Sequence, residues 1–194
     1  MKIIGLVGKK GSGKTTLAND IYSYCRKNSL CYKFSFSSIL KSMILKAKIC
    51  EEDELYFNKT TFSRGMLQKI GTNIIREQID KDFFCKKMIK ELMEISKINP
   101  TDKNIIIVID DVRFQNEAEL IGNIGGILIK VIRPDLNEED IHESETEMDQ
   151  IEDSVTIFND STLENLTLAA KGIAQFILAF KKTRFSNLLG VYFD

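Results

Sequence analysis

The segment GKKGSGKT, from Gly8 to Thr15, constrains the fold more than any other feature of this sequence. It matches the pattern G-x-x-x-x-G-K-[ST] of a phosphate-binding loop. An apolar run (Ile3–Val7) ends directly before it, and an amphipathic helical pattern with Leu17 and Ile21 on one face begins directly after it. This strand–loop–helix context is the one in which the motif binds phosphate, so the sequence predicts a site for a nucleoside triphosphate.

The residue types of the loop indicate what each position contributes. Its glycines allow the backbone to curl so that successive N–H groups point at anionic oxygens. Lys14 can reach the terminal phosphates as a mobile charge, and Thr15 supplies a hydroxyl ligand for Mg²⁺. We therefore predict that the triphosphate is bound by the loop and the residue that follows it: Gly8, Lys10, Gly11, Ser12, Gly13, Lys14, Thr15 and Thr16.

The amino-acid composition limits the kinds of molecule that the chain is expected to bind. The chain has 27 basic and 28 acidic residues and a net charge of -1, so no overall basic field attracts a nucleic acid polymer. The four cysteines form no CxxC pair, and a zinc site is not expected. No apolar run reaches membrane-spanning length, and the first one is too short for a signal peptide. We predict a cytoplasmic protein that acts on a small molecule.

Strand-like and helix-like apolar patterns alternate along the 194 residues. Strands are predicted at Ile3–Val7, Cys31–Phe36, Ile105–Ile109, Ile127–Ile132 and Val155–Phe158. Two helical faces are apolar: Phe84, Met88, Leu92 and Ile95, then Leu163, Leu166, Ala170, Ile173 and Ile177. This alternation predicts an α/β fold, a three-layer α/β/α sandwich with a central five-stranded parallel sheet, in a single domain over residues 1–194.

Guanine-nucleotide switches are disfavoured, because the string NKxD is missing and no DxxG follows the later apolar strands. Small-molecule and nucleotide kinases remain, alongside ATPases that couple hydrolysis to movement. The short, regular βα pattern favours a small kinase. Several alternatives stay open. One is a kinase whose acceptor is a ribonucleotide, a nucleoside or a coenzyme precursor, and another is a non-catalytic ATP-binding module.

A second candidate site lies in the segment RGMLQKIGTNIIR. Positions four apart form a polar stripe on a helix: Arg64, Gln68, Thr72 and Arg76. Another face is apolar and is expected to pack inward: Leu67, Ile70 and Ile74. In an unbroken helix the two arginines would be about 18 Å apart. Either the stripe follows a substrate from its phosphate to its base, or Gly71 breaks the helix and turns Arg76 back.

The third strand is followed by an acidic pair, Asp110 and Asp111, and then by Arg113. In open parallel sheets ligands bind beyond the carboxyl ends of the strands. An aspartate there can hold Mg²⁺ or its water, and Arg113 can neutralise charge on a transferred phosphoryl group. The alternative is structural: the aspartates cap the next helix, and Arg113 pairs with Glu117.

Further motifs follow the phosphate loop along the chain, and their order resembles that of a known protein family. After the phosphate loop come R-x-x-L-Q-x-x-G-T-x-x-x-R (Arg64 to Arg76), D-V-R-F-x-N-E (Asp111 to Glu117), G-G (Gly125, Gly126), R-P (Arg133, Pro134) and H-x-S-E (His142 to Glu145). The sequence resembles the deoxynucleoside monophosphate kinases of bacteriophages and large DNA viruses over about residues 2–166.

The resemblance implies transfer from ATP to a deoxynucleoside monophosphate, with Mg²⁺. It implies that Asp111 and Arg113 lie near the point of transfer. With Lys14 of the loop and Arg133 at the base of the segment after the fourth strand, they form the predicted catalytic set. It implies that Arg64, Gln68 and Arg76, within a helical region at 37–98, contact the acceptor monophosphate. The predicted acceptor site also includes Thr72 of the polar stripe and Glu145 of the H-x-S-E motif. Thr15 and Asp110 are the expected metal ligands. The family also makes a homodimer plausible.

One segment departs from the lids of phosphoryl-transfer enzymes, which often bring basic groups over the phosphates. Pro134–Asp153 holds ten acidic residues, no lysine or arginine, and the only histidine, His142. The lid-like segment therefore leaves the positive charge to Lys14, Arg113 and Arg133. After the fifth strand, a polar helix cap is expected at Ser161 or Thr162.

Overall fold

The computed structural model describes residues 1–58, 60–99, 104–136, 148, 151–152 and 155–179. The chain divides into two compact units. The first comprises residues 1–35 and 96–194, and the second comprises residues 36–95. Among the described residues, no helix combines the length and the apolar character needed to cross a bilayer.

The first unit is built on a five-stranded sheet. The strands are β1 (Lys2–Val7), β2 (Cys31–Phe34), β3 (Ile106–Val112), β4 (Ile127–Ile132) and β5 (Val155–Phe158). All pair in parallel, in the order β2-β3-β1-β4-β5. The predicted parallel sheet is therefore confirmed. β2 is shorter than expected because Phe36 already begins a helix.

The helices lie between the strands along the chain and after the last strand. They are α1 (Lys14–Cys25), α2 (Phe36–Lys46), α3 (Glu52–Tyr56), α4 (Thr61–Gln68), a π-helix (Lys69–Ile79), α5 (Phe83–Ile98), α6 (Gln115–Asn123) and α7 (Leu163–Ala179). Thr162 accepts a hydrogen bond from the Asn165 N–H at 3.4 Å, so the predicted polar cap of α7 is confirmed there.

Helices cover both faces of the sheet, as the α/β/α sandwich requires. Ile4 and Leu6 of β1 belong to one core cluster with buried residues of α1 and α7. Side chains alternate along a strand, so Gly5 faces the other way. A Cβ at Gly5 would lie 2.5 Å from a methyl group of Ile121 in α6, which places α6 on the opposite face.

The predicted face of α7 is only partly correct. Leu166, Ala170 and Ile177 are buried, as expected. Leu163 is 65% exposed, because it is the first residue of the helix and precedes the part that packs on the core. Ala174, which was not part of the predicted face, is also buried.

The second unit is helical. Thr60 caps α4 by accepting the Ser63 N–H at 3.1 Å. From Lys69 onward the helix widens to a π-helix, with hydrogen bonds from residue i+5 to residue i; the Asp80 N–H donates to the Ile75 carbonyl at 2.8 Å. In α5, the expected apolar face is buried, which confirms that prediction: Phe84, Met88, Leu92 and Ile95.

Widening changes which residues of the π-helix are buried. Gly71, Thr72 and Ile75 are the buried positions. Ile74, expected to pack inward, is 37% exposed, so that prediction was wrong. It assumed 3.6 residues per turn, whereas a π-helix has more residues per turn and shifts the positions that share a face.

Candidate functional site

Most of the predicted catalytic residues follow strands of the sheet at one edge. Because all five strands are parallel, their carboxyl ends meet at that edge. The phosphate loop follows β1, which lies between β3 and β4. Asp110 and Asp111 lie in the last part of β3, and Arg133 follows β4. This edge is the candidate site of the first unit.

The loop has the conformation that its glycines predict. Gly8, Gly11 and Gly13 have φ angles of 148°, 81° and 100°. L residues rarely adopt these angles, so glycine is required for the curl of the backbone. At Gly8 a Cβ would also collide with the backbone carbonyl oxygen of Val131.

The polar groups of the loop suit an anion. Lys14 is buried, and its ammonium donates to the carbonyl of Gly8 and, at 2.6 Å, to that of Lys9. The Ser12 hydroxyl is buried and has no hydrogen-bond partner within the described part of the chain. Burial of an unsatisfied hydroxyl costs free energy, so this group fits a site whose ligand supplies the partner.

The remaining loop residues are accessible to different extents. Lys10, Gly11 and Thr15 are exposed, and Thr16 is half-buried. Thr15 is the second residue of α1, and the helix N-terminus carries a partial positive charge that favours phosphate.

The acidic pair lies inside β3 rather than after it. Gly5 of β1 pairs with Ile109, and Val7 pairs with Val112, so β3 has one extra residue between these pairs. Such an irregularity redirects side chains and is frequent beside active sites. Both aspartates are half-buried there.

A residue of β2 and the residue directly after β2 each supply a partner to one aspartate. Ser35, directly after β2, donates to Oδ2 of Asp111 at 2.7 Å. The ammonium of Lys33 lies 3.6 Å from Oδ2 of Asp110. Burial raises the pKa of the Asp110 carboxyl, and the charge of Asp111 raises it further, while Lys33 acts in the opposite direction. Sequence reasoning did not identify Lys33 or Ser35, because neither belongs to a motif.

Glu117 fixes the backbone next to Arg113. Its buried carboxylate accepts the backbone N–H of Arg113 at 2.9 Å and that of Phe114 at 3.3 Å. The structural alternative for Asp110 and Asp111 is therefore wrong: α6 is capped from Phe114 with the help of Glu117. Arg113 is half-buried, and Arg133 is exposed in the turn after β4.

Metal ligands are sparse in this site. In the ranges that the structure describes, no three His, Cys, Asp or Glu side chains form a group that could hold an ion. Mg²⁺ in phosphoryl-transfer sites takes one or two protein ligands and completes its octahedron with phosphate and water. The donor types of Thr15 and Asp110, a hydroxyl and a carboxylate, suit this mode.

The predicted acceptor residues lie in the second unit and differ in exposure. Arg64 and Gln68 are exposed, whereas Thr72 is buried and Arg76 half-buried. The expected continuous polar stripe is therefore wrong at Thr72, because the π-helix turns this position inward.

Arg76 is held against its own unit. Its Nη1 donates to the carbonyl of Gly71 at 3.2 Å, and its guanidinium lies 4.3 Å from the ring centroid of Phe84. Gly71 does not break the helix, which continues to Ile79. The alternative in which Gly71 breaks the helix is therefore wrong.

Two predicted elements lie outside the described residues. They are Glu145, with the neighbouring His142, and most of the lid-like segment 134–153. Pro134 and the two residues after it, which begin this segment, are described, and the Leu136 N–H donates to the Arg133 carbonyl at 3.3 Å.

Known proteins match most of the chain. A family model described as deoxynucleotide monophosphate kinase matches residues 26–169. A protein of Acanthamoeba polyphaga mimivirus, named "Putative deoxynucleotide monophosphate kinase", is 32% identical over 183 residues, with 84% of this chain and 91% of the viral protein covered.

The solved structures that the chain matches are similar to it at low sequence identity. The TT1252 protein of Thermus thermophilus is 14% identical, with a TM-score of 0.51 and coverage of 90% of this chain and 97% of that chain. The shikimate kinase of Aquifex aeolicus is 15% identical, with a TM-score of 0.42 and coverage of 89% and 98%.

Proposed function

Because the chain belongs to the deoxynucleotide monophosphate kinase family, we propose that its own residues divide between an ATP site and an acceptor site as follows. The family predicted from the motifs is confirmed, and the protein is a nucleotide kinase, a phosphotransferase that uses ATP. The loop carries the proposal: it combines three glycines at positive φ, a buried lysine and a buried Ser12 hydroxyl that has no hydrogen-bond partner among the described residues.

ATP binds through its phosphates. The N–H groups of the loop and of the first turn of α1 contact the phosphate oxygens, and the Ser12 hydroxyl gains a hydrogen-bond partner. The Lys14 ammonium already lies within the loop, where it donates to two carbonyls. It exchanges these for a phosphate oxygen, which carries more negative charge, so the interaction is stronger than the one it replaces.

Thr15 and Asp110 would hold Mg²⁺, which supplies positive charge to the phosphate oxygens during transfer. The pKa of Asp110 is raised because its carboxylate is partly buried, and burial makes the charged form less favourable in free energy. A cation beside it removes that cost. Asp111 is oriented by Ser35 and is proposed to position the reacting groups.

The acceptor monophosphate binds to the second unit through Arg64 and Gln68, whose side chains are exposed. Arg76 and Thr72 support this surface from within: one is stacked on Phe84 and the other is buried. The α-phosphate oxygen of the acceptor then attacks the γ-phosphorus of ATP in line, ADP leaves, and no general base is required because the attacking oxygen is already anionic. Arg113 and Arg133 stabilise charge on the transferred group.

A coupled assay of ADP release with each common deoxynucleoside monophosphate tests this function. We expect ADP formation that depends on both the acceptor and Mg²⁺. Release with a ribonucleotide, a nucleoside or a coenzyme precursor alone would assign the same chemistry to a different acceptor. A flat signal with every acceptor, from a protein that binds ATP, would indicate a non-catalytic nucleotide-binding module.

A further inference from the structure

Asn159 connects two distant parts of the first unit. It directly follows β5, and its backbone N–H donates to the carbonyl of Ile132, at the end of β4, at 2.7 Å. Its side-chain Nδ2 donates to the carbonyl of Ser12 in the phosphate loop at 2.9 Å. The sequence separation is 147 residues, so this contact exists only in the folded sheet.

The hydrogen bond fixes a peptide group that matters for phosphate binding. The described chain has no cis peptide bond, and in a planar trans peptide the C=O and the N–H point in opposite directions. With the Ser12 carbonyl held by Asn159, the N–H of Gly13 points away from Asn159. Gly13 directly precedes Lys14 and is the N-cap residue of α1, at the end of the helix where N–H groups lack partners within the helix.

Gly13 is a position at which the backbone can turn this peptide around. Its φ is 100°, in the left-handed region. A Cβ there would lie 2.6 Å from Nδ2 of Asn159, so the amide packs directly on the glycine. Glycine can adopt either orientation of the adjoining peptide, and a fixed external donor selects one of them.

We propose that Asn159 is a positioning residue for ATP: it holds the Ser12–Gly13 peptide so that the Gly13 N–H faces the phosphates. This inference rests on the proposed role of the loop. The cost of ordering the loop is met during folding instead of during binding, which raises the affinity of the triphosphate. Asn159 does this without touching ATP, and it ties the orientation of the loop to the turn between β5 and α7.

Asn159→Ala and Asn159→Asp test the role. Alanine removes both the amide donor and the volume of the asparagine side chain. Aspartate keeps the side-chain shape but places a carboxylate oxygen, which accepts hydrogen bonds, against the Ser12 carbonyl. Asn165→Ala is the matched control, because Asn165 is an exposed asparagine six residues further along the chain, and its amide donates to the Ser161 hydroxyl at 2.9 Å. Binding of ATP and of inorganic tripolyphosphate, which has no base, is measured by calorimetry on each full-length variant.

The proposed role of Asn159 predicts that its loss lowers the affinity for ATP and for tripolyphosphate by the same factor. We expect about tenfold, which corresponds to one ordinary hydrogen bond. Both Asn159 variants should lose affinity, with aspartate at least as severe, and the KM for the acceptor should stay within about twofold of wild type. Asn165→Ala should bind both ligands as wild type does.

Other outcomes overturn the proposal. A loss for ATP with none for tripolyphosphate would mean that Asn159 contacts the base. Retention of affinity in Asn159→Asp would mean that only its packing matters. An inactive wild-type protein would refute the proposed function, yet tripolyphosphate binding would still decide the role of Asn159, so the two failures are distinguishable.

Discussion

The Ser35 hydroxyl donates to Oδ2 of Asp111 at 2.7 Å and so joins the carboxyl ends of β2 and β3. Ser35 directly precedes α2, and Asp111 lies in the irregular part of β3. A hydrogen bond to a carboxylate fixes its orientation and is among the stronger hydrogen bonds in proteins. The carboxylate proposed to position the reacting groups is thus itself positioned.

Removal of this bond should reduce turnover more than stability. We expect Ser35→Ala to lower kcat by about 3–10-fold and to cost about 1 kcal/mol of unfolding free energy. Ser23→Ala, at an exposed position of α1, is the control and should match wild type. In an Asp111→Ala background the Ser35 substitution should have no further effect on kcat. Independent, additive effects of the two substitutions would show that Ser35 does not act through Asp111.

We expect the ionised side chain of Asp110 to lower the free energy of unfolding, although it contributes to the reaction. Its pKa is raised, chiefly by burial, so the folded state holds the ionised form less favourably than the unfolded state does. Asp110→Asn should therefore raise the unfolding temperature at pH 7, and this gain should vanish below the unfolded-state pKa of about 3.9, where both states are protonated. Thermal unfolding across pH checks this.

The same Asp110 variant should lose activity. The amide carries no charge for Mg²⁺, so we expect a lower kcat and a higher Mg²⁺ concentration for half-maximal rate. Wild-type Mg²⁺ dependence in Asp110→Asn would remove Asp110 from the metal site.

Two glycines should respond to alanine in opposite ways. Gly8 has a φ of 148°, and its Cβ would collide with the Val131 carbonyl, so Gly8→Ala should cost about 3 kcal/mol or more, or prevent folding. Gly172 lies in α7 with nothing within 4 Å of its Cβ position, and Gly172→Ala should add about 0.5–1 kcal/mol. Chemical denaturation measures both. A tolerated Gly8→Ala would contradict the loop geometry.

The two arginines of the second unit should separate by phenotype. Arg76→Ala removes a hydrogen bond to Gly71 and the contact with the Phe84 ring, so it should cost about 1–3 kcal/mol of stability. Arg64 is exposed, and Arg64→Ala should change stability by less than about 0.5 kcal/mol but raise the acceptor KM. Denaturation and steady-state kinetics distinguish them; a change confined to the KM for ATP in Arg64→Ala would argue against its assigned role.

Much of the first unit could be predicted from the sequence. Short apolar runs bounded by polar residues predict strands because a parallel sheet is buried on both faces, and β4 and β5 have the predicted bounds. The phosphate loop is equally local, since its glycines fix the backbone within eight consecutive residues.

The features that could not be predicted depend on distant contacts or on hydrogen-bond register. The extra residue of β3 is defined only against β1, and Ser35 meets Asp111 across 76 positions. The change from α4 to the π-helix leaves no compositional mark, because the same residues suit both helices. It nevertheless decides that Thr72 is buried and Ile74 is not.

The central claim, transfer of the γ-phosphate from ATP held by the loop to a deoxynucleoside monophosphate, is tested most directly with γ-labelled ATP and separation of the products. We predict that the label appears in a deoxynucleoside diphosphate in an amount equal to the ADP formed. Lys14→Ala should abolish this transfer while it stays folded, and Lys171→Ala, at an exposed position of α7, should transfer label as wild type does. Label that appears only in inorganic phosphate, or full transfer by Lys14→Ala, would contradict the account.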